Sequence, residues 1–140
     1  MRIKIQLPEH FNFSTDIPIR ITDINYGGHV GNDSVLSLIH EARMHYLEHF
    51  QYTELNFEGV GLIMGDATIE FKSELFYGEQ LKVYVAVNNI SKVSFDIYYK
   101  LVKGKYETVI ALAKTGMVCY DYSKKKVVSV PDAARKKLAS

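Results

Sequence analysis

The stretch Arg20-Ile21-Thr22-Asp23-Ile24-Asn25-Tyr26-Gly27-Gly28-His29-Val30-Gly31-Asn32-Asp33 stands between an alternating apolar run and a long amphipathic one. Polar side chains and glycines at a strand-to-helix junction are how a chain builds a site at a helix start. Unpaired backbone N–H groups and the positive end of the helix dipole face an incoming ligand there. A capped surface loop of the same composition is the plain alternative. Downstream, Asn32 or Asp33 is read as the N-cap, and apolar residues recur at helical spacing through Val35, Leu38, Ile39, Ala42, Tyr46 and Phe50. Leu36 and Leu47 widen this stripe, so a helix of about 18 residues is predicted to bury most of its circumference. Residues 51–60 read as a loop.

Outward from this junction the chain is almost purely β. Upstream, Ile3, Ile5 and Leu7 alternate, and Ile17, Ile19 and Ile21 do so again, with Pro18 marking an edge position or a strand start. Downstream, Ala67, Ile69 and Phe71 alternate with polar residues. Leu81 to Val87 and Val93 to Leu101 follow the same rule, and a long final strand is predicted over about residues 106–122. Lys103-Gly104-Lys105, Asn88-Asn89 and Tyr77-Gly78-Glu79 supply turns. Pro131 and Asp132 open a short charged helix over about 131–139, expected to be loosely attached. One long helix followed by a meander of long antiparallel strands is an α+β pattern, in which a twisted sheet wraps around the helix. One helix cannot cover both faces, and Tyr84, Tyr98 and Tyr120 lie on the other, so a homo-oligomer is expected.

The 140 residues fit one domain (1–140, core about 15–122). A net charge of +1 gives no bias toward nucleic acid or anionic membrane, and neither is expected as a partner. No apolar run approaches the ~20 residues that span a bilayer, and the N-terminus alternates instead of forming a signal-peptide core. A cytoplasmic location is the expectation. The lone cysteine, Cys119, sits in an apolar run and reads as a small core residue.

The run Arg20-x-x-Asp23-x-Asn25-x-x-Gly28-His29-Val30-x-Asn32, followed by Glu41-Ala42-Arg43, resembles the hotdog-fold acyl-CoA thioesterases. Within them it is similar to the branch of the 4-hydroxybenzoyl-CoA thioesterases and their FadM-like and acyl-carrier-protein thioesterase relatives. Ile69-Glu70-Phe71 and Tyr77-Gly78-Glu79-x-Leu81-x-Val83 resemble the same family's second and third strands. The resemblance runs from about residue 17 to 122. It implies a hotdog fold, in which a long antiparallel sheet wraps one central helix. It also implies hydrolysis of an acyl-CoA or acyl-carrier thioester without a cofactor, in a groove between subunits of a dimer or tetramer.

Asn25 departs from the family, which usually has a second aspartate there as base or nucleophile. An amide neither takes up a proton usefully nor attacks a thioester as a carboxylate would. The candidate catalytic set is therefore Asn25, orienting water or the carbonyl, with Asp23, His29 or Glu41 as base. Imidazole accepts a proton from water near neutral pH, and some thioesterases of the superfamily place a catalytic histidine at the position matching His29. Glu41 shares a polar helix stripe with His45 and Glu48, and becomes a plausible base if the sheet encloses it. Gly28, Val30, Gly31 and Asn32 are the candidate substrate-binding positions, through backbone N–H groups at the helix start. Arg43 reads as an anchor for Asp23 or a loop carbonyl. Of His40, Glu41, His45 and His49, only His45 and His49 share a face at i, i+4, so no metal site is expected. A hydrolase is the leading reading. A hotdog that binds acyl thioesters without cleaving them is the alternative that Asn25 permits, a purely structural loop is the third, and a hotdog dehydratase lacks its usual helix signature here.

Overall fold

The structure, a computed structural model, describes residues 2–139. In chain order it holds β1 (Phe13–Pro18), a 3-10 turn (Ile21–Asp23), α1 (Asn32–His49), β2 (Gly61–Phe71), β3 (Gln80–Asn88), β4 (Ser94–Lys103), β5 (Thr108–Asp121), β6 (Lys126–Val127) and α2 (Asp132–Ala139). The strands form one antiparallel sheet in the order β1-β3-β4-β5-β2, and β6 pairs with the end of β5. This is the hotdog arrangement expected from the sequence.

Alternation along the strands sorts the sheet into two faces. Leu81, Val83 and Val85 of β3, Phe95, Ile97, Tyr99 and Leu101 of β4, and Ala111, Ala113, Met117 and Cys119 of β5 are buried on the inner face. There they meet Val35, Leu38, Ile39, Ala42, Tyr46 and Leu47 of α1. Full burial of each large apolar side chain is worth about 1.5–3 kcal/mol, which holds the helix against the concave sheet. Leu36 does not join this stripe. It is 40% exposed, so α1 buries one face and not most of its circumference.

Four further expectations are corrected. Residues 2–12 contain no strand, despite the alternation of Ile3, Ile5 and Leu7. Instead this segment lies on the outer face of the sheet, where the Ile5 N–H donates to Glu70 Oε1 (3.1 Å) and Phe11 meets the Tyr84 ring. Alternation licenses a strand only where a neighbour offers a ladder, and β1 already occupies the edge of β3. The N-cap of α1 is Gly31, with Asn32 as the first helical residue and no side chain capping the N-terminus. β2 begins at Gly61, earlier than the alternation at Ala67 suggests. Finally, α2 is docked, with Ala134 and Leu138 buried in the core.

Candidate active site

The loop after β1 is closed by its own polar groups. Asp23 is buried, and its carboxylate accepts from the Arg20 backbone N–H (2.8 Å) and the Arg20 guanidinium (3.3 Å), closing the 3-10 turn. Asn25 Oδ1 accepts from the Gly27 N–H (2.9 Å). The Asn25 N–H donates to the His29 carbonyl, and the Gly28 N–H donates to the Asn25 carbonyl. Gly28 sits at φ +85°, a conformation that disfavours a side chain. The loop is then stitched to the segment before β3, since the Val30 N–H donates to the Leu75 carbonyl (2.7 Å).

These bonds leave two kinds of chemistry free. His29 Nδ1 lies 3.2 Å from the Val30 carbonyl oxygen. A carbonyl only accepts, so this contact assigns the proton to Nδ1 and leaves the lone pair on Nε2. A Cβ added at Gly27 would stand 3.2 Å from Asn25 Oδ1 and 3.5 Å from His29 Nε2, so the amide and the imidazole border the same gap. Because Asn25 Oδ1 already accepts from Gly27, the group it offers outward is the Nδ2 donor, which stands beside Gly31 at the helix start. The second free element is the first turn of α1. Its leading N–H groups have no intrahelical acceptor, and no side chain caps them.

His29, Val30, Asn32 and Val35 form one wall of a cleft of about 280 Å³. Phe71 at the end of β2, the 72–75 segment and Ile110 form the other. Apolar Val30, Val35, Phe71, Leu75 and Ile110 share the lining with polar Lys72, Ser73 and Glu74, and a histidine and a helix start stand at one side.

Of the residues singled out in the sequence, the structure brings Asn25, His29, Gly31 and Asn32 together. Gly28 and Val30 shape the loop, and their N–H groups are already bonded. Asp23 serves the 3-10 turn. Glu41 does not reach the cleft. Nine residues beyond Asn32 at 1.5 Å per residue place it roughly 13 Å along the axis. There it lies 3.7 Å from His45 Nε2, and His45 Nδ1 in turn bonds Thr15 Oγ1 (2.7 Å). Arg43 is not paired with Asp23. It is buried and donates to Glu54 Oε2 and the Tyr99 hydroxyl, both at 3.3 Å. Phe71, Phe76 and Ile110, which frame or abut the cleft, escaped the sequence reading because nothing in their local pattern distinguishes them from other strand and turn residues.

Residues 19–138 match the family model described as the thioesterase-like superfamily, and the chain belongs to that superfamily. It is a thioesterase, an enzyme that hydrolyses an acyl thioester. Its relatives include a 1,4-dihydroxy-2-naphthoyl-CoA hydrolase of Microcystis aeruginosa, 28% identical over 120 residues, which cover 84% of this chain and 86% of that one. The corresponding hydrolase of Nostoc punctiforme is 27% identical over 127 residues, covering 86% of this chain and 82% of the relative. Among solved structures, a 1,4-dihydroxy-2-naphthoyl-CoA thioesterase from Synechocystis superposes with a TM-score of 0.83 at 21% identity, over 91% of this chain and 96% of that one. A Thermus thermophilus thioesterase solved with coenzyme A and Zn superposes at 0.81 with 18% identity, over 94% and 100% of the two chains.

Proposed function

We propose that this chain hydrolyses an acyl-CoA thioester carrying a compact apolar or aromatic acyl group, with His29 as the general base. The observation that carries this reading is the His29 imidazole, with Nδ1 committed to the Val30 carbonyl and Nε2 open beside Asn25 and the uncapped start of α1. The acyl group would occupy the cleft between α1 and Phe71, with its carbonyl oxygen facing the Asn32 N–H and the Asn25 Nδ2 donor. Donors fixed before reaction stabilise the developing oxyanion without reorganising, which is commonly the largest single contribution to acyl transfer. His29 Nε2 takes a proton from water as the water attacks, and returns it to the departing thiolate. CoA is favoured over a carrier protein because the named relatives act on CoA thioesters and one structural neighbour was solved with coenzyme A. Asp23 with the Gly28-His29-Val30 run supports the 4-hydroxybenzoyl-CoA thioesterase and FadM-like branch of the superfamily, from which Asn25 departs.

The working unit we propose is a homodimer of this one-domain chain. β2, eleven residues long, ends the sheet; beyond Leu62, whose N–H donates to the Glu54 carbonyl (2.7 Å), no strand pairs with its outer edge among the described residues, and Phe71 at its tip is both 47% exposed and part of the cleft wall. A second copy along that edge would satisfy the edge and close the cleft.

A panel of acyl-CoAs, read by thiol release, tests the activity. His29→Ala should lower kcat by about 10²–10⁴-fold, the usual worth of a general base. Asn25→Ala should cost less, and Glu41→Ala far less than His29→Ala. Full activity in His29→Ala would overturn the mechanism. An inert wild type that gains hydrolysis as Asn25→Asp would turn the reading to an acyl-thioester-binding module.

A further inference from the structure

The turn bearing Tyr77-Gly78-Glu79 has no part in the chemistry above, yet it is built against the catalytic loop. Gly78, at φ +88°, reverses the chain. Glu79 closes the turn twice, its N–H donating to the Phe76 carbonyl (3.2 Å) and its Oε1 accepting from the Phe76 N–H (2.7 Å). Lys103, the last residue of β4, donates Nζ to the same Oε1 (3.2 Å) and to the Glu74 carbonyl (2.8 Å), and stands 5.3 Å from the Phe76 ring centroid. The Phe76 ring in turn meets the His29 imidazole edge-on, at 6.4 Å between centroids and 82° between planes, while the two backbones form an antiparallel bridge.

We propose that Lys103, Glu79 and Phe76 form a clamp that positions His29, holding the ring so that Nδ1–H faces the Val30 carbonyl and Nε2 faces the cleft. Lys103 and Glu79 are positioning residues that act on His29 through Phe76. The clamp's charges cancel, so removing it changes geometry more than field. The pair is partly exposed, and exposed ion pairs contribute little to global stability. Its loss therefore loosens the turn and leaves the fold intact. Misplacement of a catalytic group by about 1 Å costs up to about 100-fold in rate.

The kinetic part of this inference rests on His29 as base, but the structural part does not, and the test separates them. Long-range proton–nitrogen correlation spectra of ¹⁵N-labelled protein, at a pH where imidazoles are neutral and with His29 assigned by His29→Gln, read the tautomer directly. The wild type should show Nδ1–H. Lys103→Met, Glu79→Gln and Phe76→Leu should shift the signal toward a mixture, while Lys103→Arg keeps it. In hydrolysis the first three should lose about 10–100-fold in kcat with KM and Tm nearly unchanged, and the Arg variant should recover. A His29 signal identical in Lys103→Met and Phe76→Leu overturns the clamp whatever the kinetics. Shifted signals in the three variants, together with a wild type that hydrolyses no acyl-CoA, support the clamp and overturn His29 as a thioesterase base. Phe76 is 42% exposed, so Phe76→Leu keeps the test open should Lys103→Met fail to fold.

Discussion

Arg43 shows what a residue's surroundings add to its identity. The residue is 5% exposed, and its guanidinium is held by Glu54 and by Tyr99, whose hydroxyl also bonds Thr115 Oγ1 (2.7 Å). Tyr99→Phe leaves both Arg43 and Thr115 short of a buried partner, and should cost about 1–3 kcal/mol in urea unfolding. A Tyr99→Phe variant as stable as wild type would show that water reaches this network. The sequence placed Arg43 on the helix beside apolar neighbours, but helical spacing gives a direction and not a partner. Glu54 lies eleven residues away in a loop and Tyr99 on a distant strand, so no local pattern could name them. Asp23 and Asn25 were legible as polar loop residues, while the division of labour between them depends on which atoms the loop's own N–H groups occupy. Cys119 was legible as a core residue. It is fully buried, and burial pushes its thiol up to about 11. The thiolate is thus scarce below that pH, so Ellman's reagent at pH 8 should leave the folded protein unmodified and react once it is denatured. Prompt reaction in the native state would contradict the burial.

The long helix and most of the strands were legible because each obeys one period from end to end. Leu38 and Leu47 are at most 2% exposed, and Leu36 is 40% exposed. Leu38→Ala or Leu47→Ala should therefore cost about 2–5 kcal/mol, and Leu36→Ala within about 0.5, measured by chemical denaturation of the three variants side by side. Equal losses at all three would mean that Leu36 is covered in the working assembly. The elements misjudged are those where the period breaks. β2 carries a register shift between Met64 and Asp66, which moves the inner face from Leu62 and Met64 to Ala67, Ile69 and Phe71. Its apolar pattern therefore restarts within a single strand, and only the half from Ala67 on shows an unbroken alternation in the sequence. The N-cap of α1, Gly31, lies one residue before Asn32 and two before Asp33, the two that the sequence offers, because Asn and Asp are common N-caps and Gly31 gives no side-chain signal. That error matters for function, since a helix start without a side-chain cap leaves its N–H groups to a substrate. The short charged α2 gave no sign of docking. Its buried pair Ala134 and Leu138, four residues apart on one face, secures it, together with the Arg135 guanidinium, which donates to the Ser91 carbonyl (2.8 Å), and Lys137 over the Tyr52 ring.

At the scale of the molecule, a single helix leaves one sheet face uncovered, and the sequence assigned that face to a partner. The structure covers part of it with the chain's own residues 2–12. Tyr98 is only 9% exposed, in a region where residues 3–6 lie near Thr68, Tyr98 and Lys114. The tail is tied at Glu70, whose carboxylate is held below the ordinary glutamate value of 4.5 by the Lys72 ammonium and then by the Ile5 N–H. A depressed carboxylate contributes its stabilisation above that value, and loses it as pH falls through the lowered one. Protection of the Ile5 amide from hydrogen exchange, corrected for the intrinsic rate, should therefore decline in acid. In Glu70→Gln it should be weak at every pH. Deleting residues 1–12 makes the larger test, because it bares Tyr98 and the flank of Tyr84 while leaving the pairing of β2 with β5 in place. If the tail covers the sheet and the β2 edge joins two copies, the full chain sediments as a dimer, and the shortened one forms larger species through the newly exposed face. A charged residue at Tyr98 in the shortened chain should return it to a dimer. A shortened chain that sediments as the full one does, with the same Tm, would show that the tail covers nothing that matters. A full chain that sediments as a monomer would leave the open edge of β2, and the completion of the cleft by a second copy, without support.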